Sequence, residues 1–142
     1  MNDATSMILP AGDGRTGSPA AEVCIIGAGI SGLTAAKALR EAGVRYAGFE
    51  RGSDIGGMWR YENDSGTSSA YRSLHIDSSR QSLGYPDFPL PDDLPDYPSH
   101  TQMLRHFEVY ADRFSLRDGY DFRTVVRSVA PVPGGGWDVT VA

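Results

Sequence analysis

The first strong pattern along the chain is a continuous apolar run, Val23-Cys24-Ile25-Ile26, which ends at Gly27. A short apolar run bounded by glycine is typical of a strand that is buried on both faces of a parallel sheet. Residues 31 to 42 are rich in Ala and Leu at helical spacing and predict a short amphipathic helix. Residues 44 to 50 predict a second strand. Strand, turn, helix and strand within roughly thirty residues predict a βαβ unit.

The next part of the chain has little periodicity. Residues 51 to 70 are rich in Gly, Ser and Asp, and residues 86 to 98 contain five prolines, so both stretches predict loops. The first twenty residues are rich in Gly and polar residues and contain no long apolar stretch, and they predict a flexible tail over residues 1 to 20. The remaining residues, 21 to 142, are long enough for one domain and too short for two.

The C-terminal part regains a regular pattern. Ser99 and Gln102 match a capping box, and apolar residues follow at helical spacing, which predicts a second helix. Residues 121 to 129 are β-prone, residues 133 to 136 predict a turn, and residues 137 to 141 alternate apolar and polar. The fold class that follows is α/β, a βαβ unit with a C-terminal helix and β-hairpin.

Composition excludes several classes of function. The net charge is −5 and the basic residues are dispersed, so no nucleic-acid or anionic membrane partner is expected. Cys24 is the single cysteine, which excludes an internal disulfide and a cysteine-rich metal site. We interpret it as a buried strand residue in a cytoplasmic protein. His75, His100 and His106 have no metal-ligand spacing, so no metal site is predicted.

A glycine motif lies between the first strand and the first helix. Gly27-Ala28-Gly29-Ile30-Ser31-Gly32 matches GxGxxG in the strand-turn-helix context of a Rossmann-like dinucleotide site. Gly27 permits the tight turn, Gly29 allows the pyrophosphate to approach the backbone, and Gly32 allows close packing of helix and strand. Glu50 follows at about the 20-residue offset at which an acidic residue binds the adenosine ribose. Because a carboxylate repels a 2′-phosphate, FAD or NAD is favoured over NADP.

Three further segments give the sequence a family resemblance. Residues 51 to 59, Arg51-Gly52-Ser53-Asp54-Ile55-Gly56-Gly57-Met58-Trp59, contain a GG-x-W motif after the ribose acid. Residues 71 to 80 and the segment Tyr85-Pro86-Asp87-Phe88-Pro89 follow at matching spacing, and the likeness continues through residues 96 to 126. Over roughly residues 23 to 142 the chain therefore resembles the N-terminal FAD-binding part of flavin-containing monooxygenases.

The resemblance implies a partial FAD-binding domain, at residues 21 to 142, of a flavoprotein with two dinucleotide-binding domains. It implies NADPH- and O₂-dependent oxygenation of a soft nitrogen or sulfur nucleophile, or of a ketone, through a C4a-hydroperoxyflavin. No second GxGxxG follows Gly32, so we expect the chain to be inactive alone. The residues that the resemblance assigns to the cofactor are Gly27, Ala28, Gly29, Ile30, Ser31, Gly32, Glu50, Arg51, Gly57, Met58, Trp59, Asp77 and Ser78.

Asp77 is also the candidate catalytic residue, and it departs from the family pattern. Flavin-containing monooxygenases usually have Asn at this position, and an ionised Asp cannot donate a hydrogen bond there. The choice between heteroatom oxygenation and Baeyer-Villiger chemistry therefore stays open. Two other functions also stay open: a non-catalytic, truncated dinucleotide-binding module, and a small NAD-dependent oxidoreductase. Trp59 has the alternative role of covering an apolar surface.

Overall fold

The computed structural model describes residues 5–10 and 21–142. Its described elements form two three-stranded sheets, one two-stranded ribbon and two α-helices. The strands are β1 (Thr5–Pro10), β2 (Val23–Ile26), β3 (Tyr46–Phe49), β4 (Gly84–Tyr85), β5 (Phe88–Pro89), β6 (Tyr120–Asp121), β7 (Val126–Pro131) and β8 (Gly136–Val141), and the helices are α1 (Ile30–Glu41) and α2 (His100–Arg113).

The predicted βαβ unit is confirmed. β2 and β3 are parallel, and α1 connects them and buries Leu33 and Ala36 against the core. Gly43 follows the helix at φ +71°, the left-handed conformation that glycine adopts most easily. The second strand is shorter than predicted, and β6 adds a parallel neighbour on its other edge. This third strand is only two residues long, so it leaves no periodic signal in the sequence.

The prediction that β2 is buried on both faces is wrong. Ile25 is buried against the α1 side, but Ile26 is 60% exposed and Cys24 is half-buried. On the second face of the sheet, Val139 of β8 packs beside Phe49 and only partly covers the strand. Partial burial still raises the pKa of the Cys24 thiol.

The second sheet confirms the predicted hairpin and corrects the predicted tail. β7 and β8 pair antiparallel around the glycine-rich turn, and β1 pairs antiparallel with the other edge of β8. Residues 5–10, predicted as part of a flexible tail, therefore form a strand. The physical reason is that an open strand edge presents unpaired backbone N–H and C=O groups, which another extended segment satisfies. The rest of the predicted tail lies outside the described residues.

The main core lies between α1, α2 and the proline-rich segment. α2 begins with the predicted capping box, in which Ser99 and Gln102 satisfy each other's main-chain N–H groups. Within residues 86 to 98, predicted as loop, Phe88 and Pro89 form β5 and pair with β4. The Phe88 ring packs edge-on against Tyr110 of α2, with centroids 5.2 Å apart. In the described part of the chain, no helix is long and apolar enough to cross a membrane.

Candidate dinucleotide site

The turn between β2 and α1 has the backbone geometry that its glycines predict. Gly27 lies at φ +96°, and its N–H donates to the carbonyl of Phe49 across the sheet (2.8 Å). A Cβ on Gly32 would overlap the carbonyl oxygen of Gly27, so the close packing of helix on turn requires glycine there. Gly29 has no such constraint, because its Cβ would meet only the Cα of Gly57, at 3.8 Å. Glycine is therefore not required at this position by the packing of the fold, and its missing side chain leaves the space beside the Gly29 backbone free for a ligand.

The N-terminus of α1 is suited to an anion. Its N-cap is Gly29, which has no side chain that could cap the helix, and its first turn contains no acidic residue. The first-turn N–H groups, which include those of Ile30 and Ser31, have no partner within an α-helix. Together with the positive end of the helix dipole they can donate to a pyrophosphate.

Glu50 directly follows β3 and faces this turn. The residue is 6% exposed, and each carboxylate oxygen accepts one main-chain hydrogen bond. Oε2 accepts from the N–H of Ala28 (2.6 Å), and Oε1 accepts from the N–H of Gly52 (2.6 Å). A carboxylate has about four acceptor positions, so both oxygens can still accept a ribose hydroxyl. Glu50 thus fixes the glycine turn and presents acceptors beside it.

A second glycine turn covers the first. The N–H of Gly56 donates to the carbonyl of Ala28 (2.9 Å), and Gly57 begins a short 3-10 helix, Gly57–Trp59. Both glycines have positive φ, +117° and +52°. A Cβ on Gly57 would lie 3.0 Å from the Cα of Gly29, so this close approach and the positive φ both disfavour a side chain at Gly57.

The two turns and the strand ends enclose a cleft of about 310 Å³, called the dinucleotide cleft below. This volume is at the lower end of the usual range for small-molecule sites, about 300–1,000 Å³. The described residues that line it are Ile26, Gly27, Gly29, Phe49, Glu50, Arg51, Gly57, Met58, Ser65, Thr67, Thr124, Val125 and Val126. Uncapped helix N–H groups, a buried carboxylate and missing Cβ atoms are the features that a dinucleotide requires, so these residues fit one.

Most of the predicted cofactor residues converge on this cleft. Its lining includes six of them, and Ala28, Ile30, Ser31 and Gly32 belong to the turn and the first helical turn beside it. Met58 is 54% exposed at the edge of the cleft. Trp59 is half-buried, packs edge-on against Phe107 of α2 (centroids 6.2 Å apart) and is not among the described lining residues.

Asp77 and Ser78 lie on a different segment. The N–H of Ile76 donates to the carbonyl of Pro98 (2.9 Å), so this stretch follows the chain that leads into α2. Asp77 is exposed and accepts a hydrogen bond from Ser78 Oγ (3.3 Å). Neither residue belongs to the described lining of the dinucleotide cleft. Their predicted position beside the flavin stays a prediction.

Sequence reasoning missed several residues of the site. Ser65, Thr67 and Thr124 line the cleft, and the buried Asn63 donates to the carbonyl of Gly57, which also lines it. The first two and Asn63 lie in a segment of Gly, Ser and Asp residues, where no periodicity distinguishes a buried polar side chain from an exposed one. Thr124 is brought in by its N–H, which donates to the main-chain carbonyl of Glu50 (2.8 Å).

Asp54 anchors the loop that carries the second glycine turn. Oδ1 accepts from the Arg117 Nε (3.1 Å) and Oδ2 from Arg60 (3.1 Å), which also pairs with Glu108 of α2. Burial opposes ionisation of Asp54, but the hydrogen bond from the N–H of Ile55 and the Arg117 guanidinium outweigh it and lower the pKa. The loop is thereby tied to α2 and to the segment ahead of β6.

Comparison with known proteins assigns the chain to a family. A family model described as flavin-binding monooxygenase-like matches residues 20–142. Flavin-containing monooxygenase 5 of Mus musculus is 39% identical over 123 residues, which cover 82% of this chain and 23% of that protein. The chain thus spans about a quarter of the length of the curated relatives that it matches.

Solved structures agree with the fold. The crystal structure of OTEMO in complex with FAD and NADP superposes with a TM-score of 0.75 at 29% identity, covering 88% of this chain and 23% of that one. S-allyl-L-cysteine S-oxygenase from Allium sativum gives a TM-score of 0.71 at 27% identity, covering 84% and 34%. Together with the glycine turn, the buried Glu50 and the family match over residues 20–142, these likenesses show that the chain belongs to the flavin-binding monooxygenase-like family of oxidoreductases.

Proposed function

We propose that this chain binds FAD in the dinucleotide cleft and forms the FAD-binding part of an NADPH- and O₂-dependent monooxygenase. The observation that carries the proposal is the contact between Glu50 and the glycine turn. One buried carboxylate holds the N–H of Ala28 at 2.6 Å, directly beside the uncapped start of α1. A ribose acceptor and a pyrophosphate donor thereby lie next to each other, in the order in which an adenine dinucleotide presents these groups.

The pyrophosphate takes the N-terminus of α1, where Ile30, Ser31 and Gly32 supply N–H groups and Gly29 leaves room. The ribose takes the free acceptor positions of Glu50. Arg51, the next residue, lines the cleft and contributes positive charge near the phosphates. Ser65, Thr67 and Thr124, which also line the cleft, are further polar residues near the cofactor.

The flavin end of the cofactor extends past Gly57 and Met58. A missing Cβ at Gly57 and an exposed Met58 side chain leave an open and partly apolar surface there. Trp59 supports this surface from the protein side, because its packing on Phe107 fixes the short 3-10 helix that contains Met58. Asp77 and Ser78 are proposed to lie beside the flavin on the strength of the family resemblance.

FAD, when bound, supplies the redox chemistry with NADPH and O₂, and the protein supplies binding, orientation and exclusion of water. The substrate class is a soft nitrogen or sulfur nucleophile or a ketone. One structural neighbour is named as an S-oxygenase, which supports the sulfur nucleophile, and another as a steroid monooxygenase, whose name does not specify the group that is oxygenated. We propose that the 142 residues alone do not sustain NADPH oxidation, because no further GxGxxG follows Gly32 to hold the NADPH. Steady NADPH oxidation by the purified chain with FAD would contradict that proposal.

Titration of the chain with FAD tests the proposed function. Fluorescence of Trp59 and Trp137 should quench saturably as FAD is added, and NAD should bind more weakly. The test variant is Gly29→Ala. The added Cβ would meet no atom of the fold closer than 3.8 Å, but it would enter the space proposed for the pyrophosphate. We expect this variant to keep the unfolding midpoint of the wild type and lose FAD binding. NAD binding without FAD binding would favour the small NAD-dependent oxidoreductase.

A further inference from the structure

Asn63 is a buried polar residue beside the dinucleotide cleft. It lies four residues after Trp59 in a loop with no regular structure, yet it is only 8% exposed. A buried amide is costly unless its polar atoms find partners, so its hydrogen bonds indicate what it holds in place.

The side-chain amide of Asn63 is fully oriented by main-chain partners. Nδ2 donates to the carbonyl of Gly57 (3.1 Å), and Oδ1 accepts from the N–H of Ser65 (2.9 Å). A main-chain carbonyl only accepts and a main-chain N–H only donates, so the two ends of the amide cannot exchange. The residue required at this position is one with a donor on one side and an acceptor on the other.

The group that Asn63 holds is the turn that closes the cleft. Gly56 and Gly57 both have positive φ and no side chain with which to fix themselves, so this conformation is entropically costly to maintain. The next carbonyl, that of Met58, accepts from Ser68 Oγ (2.9 Å). The loop over residues 63–68 thus binds two successive carbonyls of the turn, and Asn63 is the buried one of the two donors.

We propose that Asn63 is a positioning residue for the cofactor, which holds the Gly56–Gly57 turn against Gly29 so that the dinucleotide cleft is formed before FAD arrives. The inference rests on the proposed function for its ligand. It requires no contact between Asn63 and FAD. Preorganisation of this kind raises affinity because the ordering cost is met during folding and not during binding.

Asn63 and its neighbour Asp64 allow a matched pair of isosteric substitutions. Asn63→Asp replaces the donor with a carboxylate oxygen facing the Gly57 carbonyl, while it keeps the acceptor for Ser65. Asp64→Asn, one position later, keeps the oxygen that accepts from the N–H of Ser53 (2.9 Å). The double variant has the composition and net charge of the wild type with the two side chains exchanged. Asn63→Ala removes the donor without adding charge, and decides the question if Asn63→Asp does not fold.

Two readouts are measured on the 142-residue chain, together with the free energy of unfolding. The first, without FAD, is amide hydrogen exchange at Gly56 and Trp59, whose N–H groups donate to Ala28 and Gly56. The second is the dissociation constant of FAD. We expect both Asn63 variants and the double variant to exchange these amides faster and to bind FAD about tenfold more weakly, as for loss of one hydrogen bond. Asp64→Asn should match the wild type in both.

Unchanged exchange in the Asn63 variants would overturn the proposal, and so would an equal acceleration in Asp64→Asn. Faster exchange with unchanged FAD affinity would assign Asn63 to the fold alone and also overturn it. If the wild type binds no FAD, the proposed function fails and the cofactor role of Asn63 fails with it, while exchange still decides whether Asn63 holds the turn.

Discussion

At the scale of single residues, Glu50 connects several segments of the site by hydrogen bonds. Its carboxylate binds the N–H groups of Ala28 and Gly52 while buried, and its own N–H and C=O join Asp121 and Thr124. Glu50→Gln keeps the size but turns one acceptor into an NH₂ donor that faces an N–H. We expect the free energy of unfolding to fall by about 1–3 kcal/mol, the usual cost of an unsatisfied buried group. We also expect FAD to bind at least tenfold more weakly. Urea unfolding and FAD titration measure the two effects.

The control for Glu50 is Glu22→Gln. Glu22 forms an exposed ion pair with Arg45 (3.2 Å), and such pairs contribute little to stability. This variant should stay within about 0.5 kcal/mol of the wild type and bind FAD normally. A Glu50→Gln protein as stable as Glu22→Gln would show that the carboxylate does not hold the two loops.

The site residues that the sequence could predict are those whose position follows from spacing. The glycines of the first turn and Glu50 stand at fixed offsets from a strand and a helix, and these offsets reflect the geometry of a βαβ unit. Asn63 could not be predicted, because its burial depends on a loop conformation set by several side-chain hydrogen bonds. The packing of the Trp59 ring on Phe107 could not be predicted either, because it depends on where α2 docks. The position of Trp59 near the flavin stays a prediction.

At the scale of elements, α2 depends on the cap at its start. Ser99 Oγ accepts from the N–H of Gln102, and Gln102 Oε1 accepts from the N–H of Ser99 (2.9 Å). Ser99→Ala should lower the free energy of unfolding by about 1 kcal/mol, as for the loss of an N-cap. Thr101→Ala, on the exposed side of the same turn, should change it far less. Denaturant unfolding measures both, and equal losses would mean that the cap contributes nothing specific.

The loop after β3 should give the fold a dependence on acidic pH. The pKa of Asp54 is below its ordinary value of 3.8 in the folded chain. A carboxyl group with a lowered pKa contributes stability that is complete above its unfolded pKa and is lost as pH falls through the folded one. The difference in unfolding free energy between wild type and Asp54→Asn should therefore be constant near pH 7 and shrink below about pH 4. Denaturation midpoints from pH 7 to pH 2 test this, with Asp93→Asn in an exposed loop as the control.

Elements with strong local signals were predicted well, and elements that depend on distant partners were not. The periodicity of α1 and α2 and the alternation of β8 are properties of the segments themselves. β1 and β6 exist because β8 and β3 offer strand edges, so their strand character comes from pairing. β5 contains a proline, which a sheet accepts at an edge strand. Because prolines indicate loops, the short ribbon of β4 and β5 was not recognised within the predicted loop.

At the scale of the whole molecule, the cleft lies where elements of both sheets meet. Gly27 and Glu50 follow parallel strands, whose carboxyl ends share one edge, and Val126 belongs to the hairpin sheet. A ligand crevice outside the carboxyl ends of parallel strands is the general rule for α/β folds. The α/β class could be predicted from element order alone. The incomplete cover of β2, seen in the exposed Ile26, could not, because it depends on how far β8 extends over the sheet.

FAD binding in the dinucleotide cleft is tested most directly by the amide chemical-shift changes on adding FAD to the labelled 142-residue chain. We expect the changes to concentrate at residues 27–32, at Gly52 and at residues 56–58, and to saturate together with one dissociation constant. A separate groove lies between the proline-rich segment and α2 and is lined by Leu94, His106 and Val109 among others. Changes confined to the amides of this groove would contradict FAD binding in the dinucleotide cleft, and so would no change at any amide.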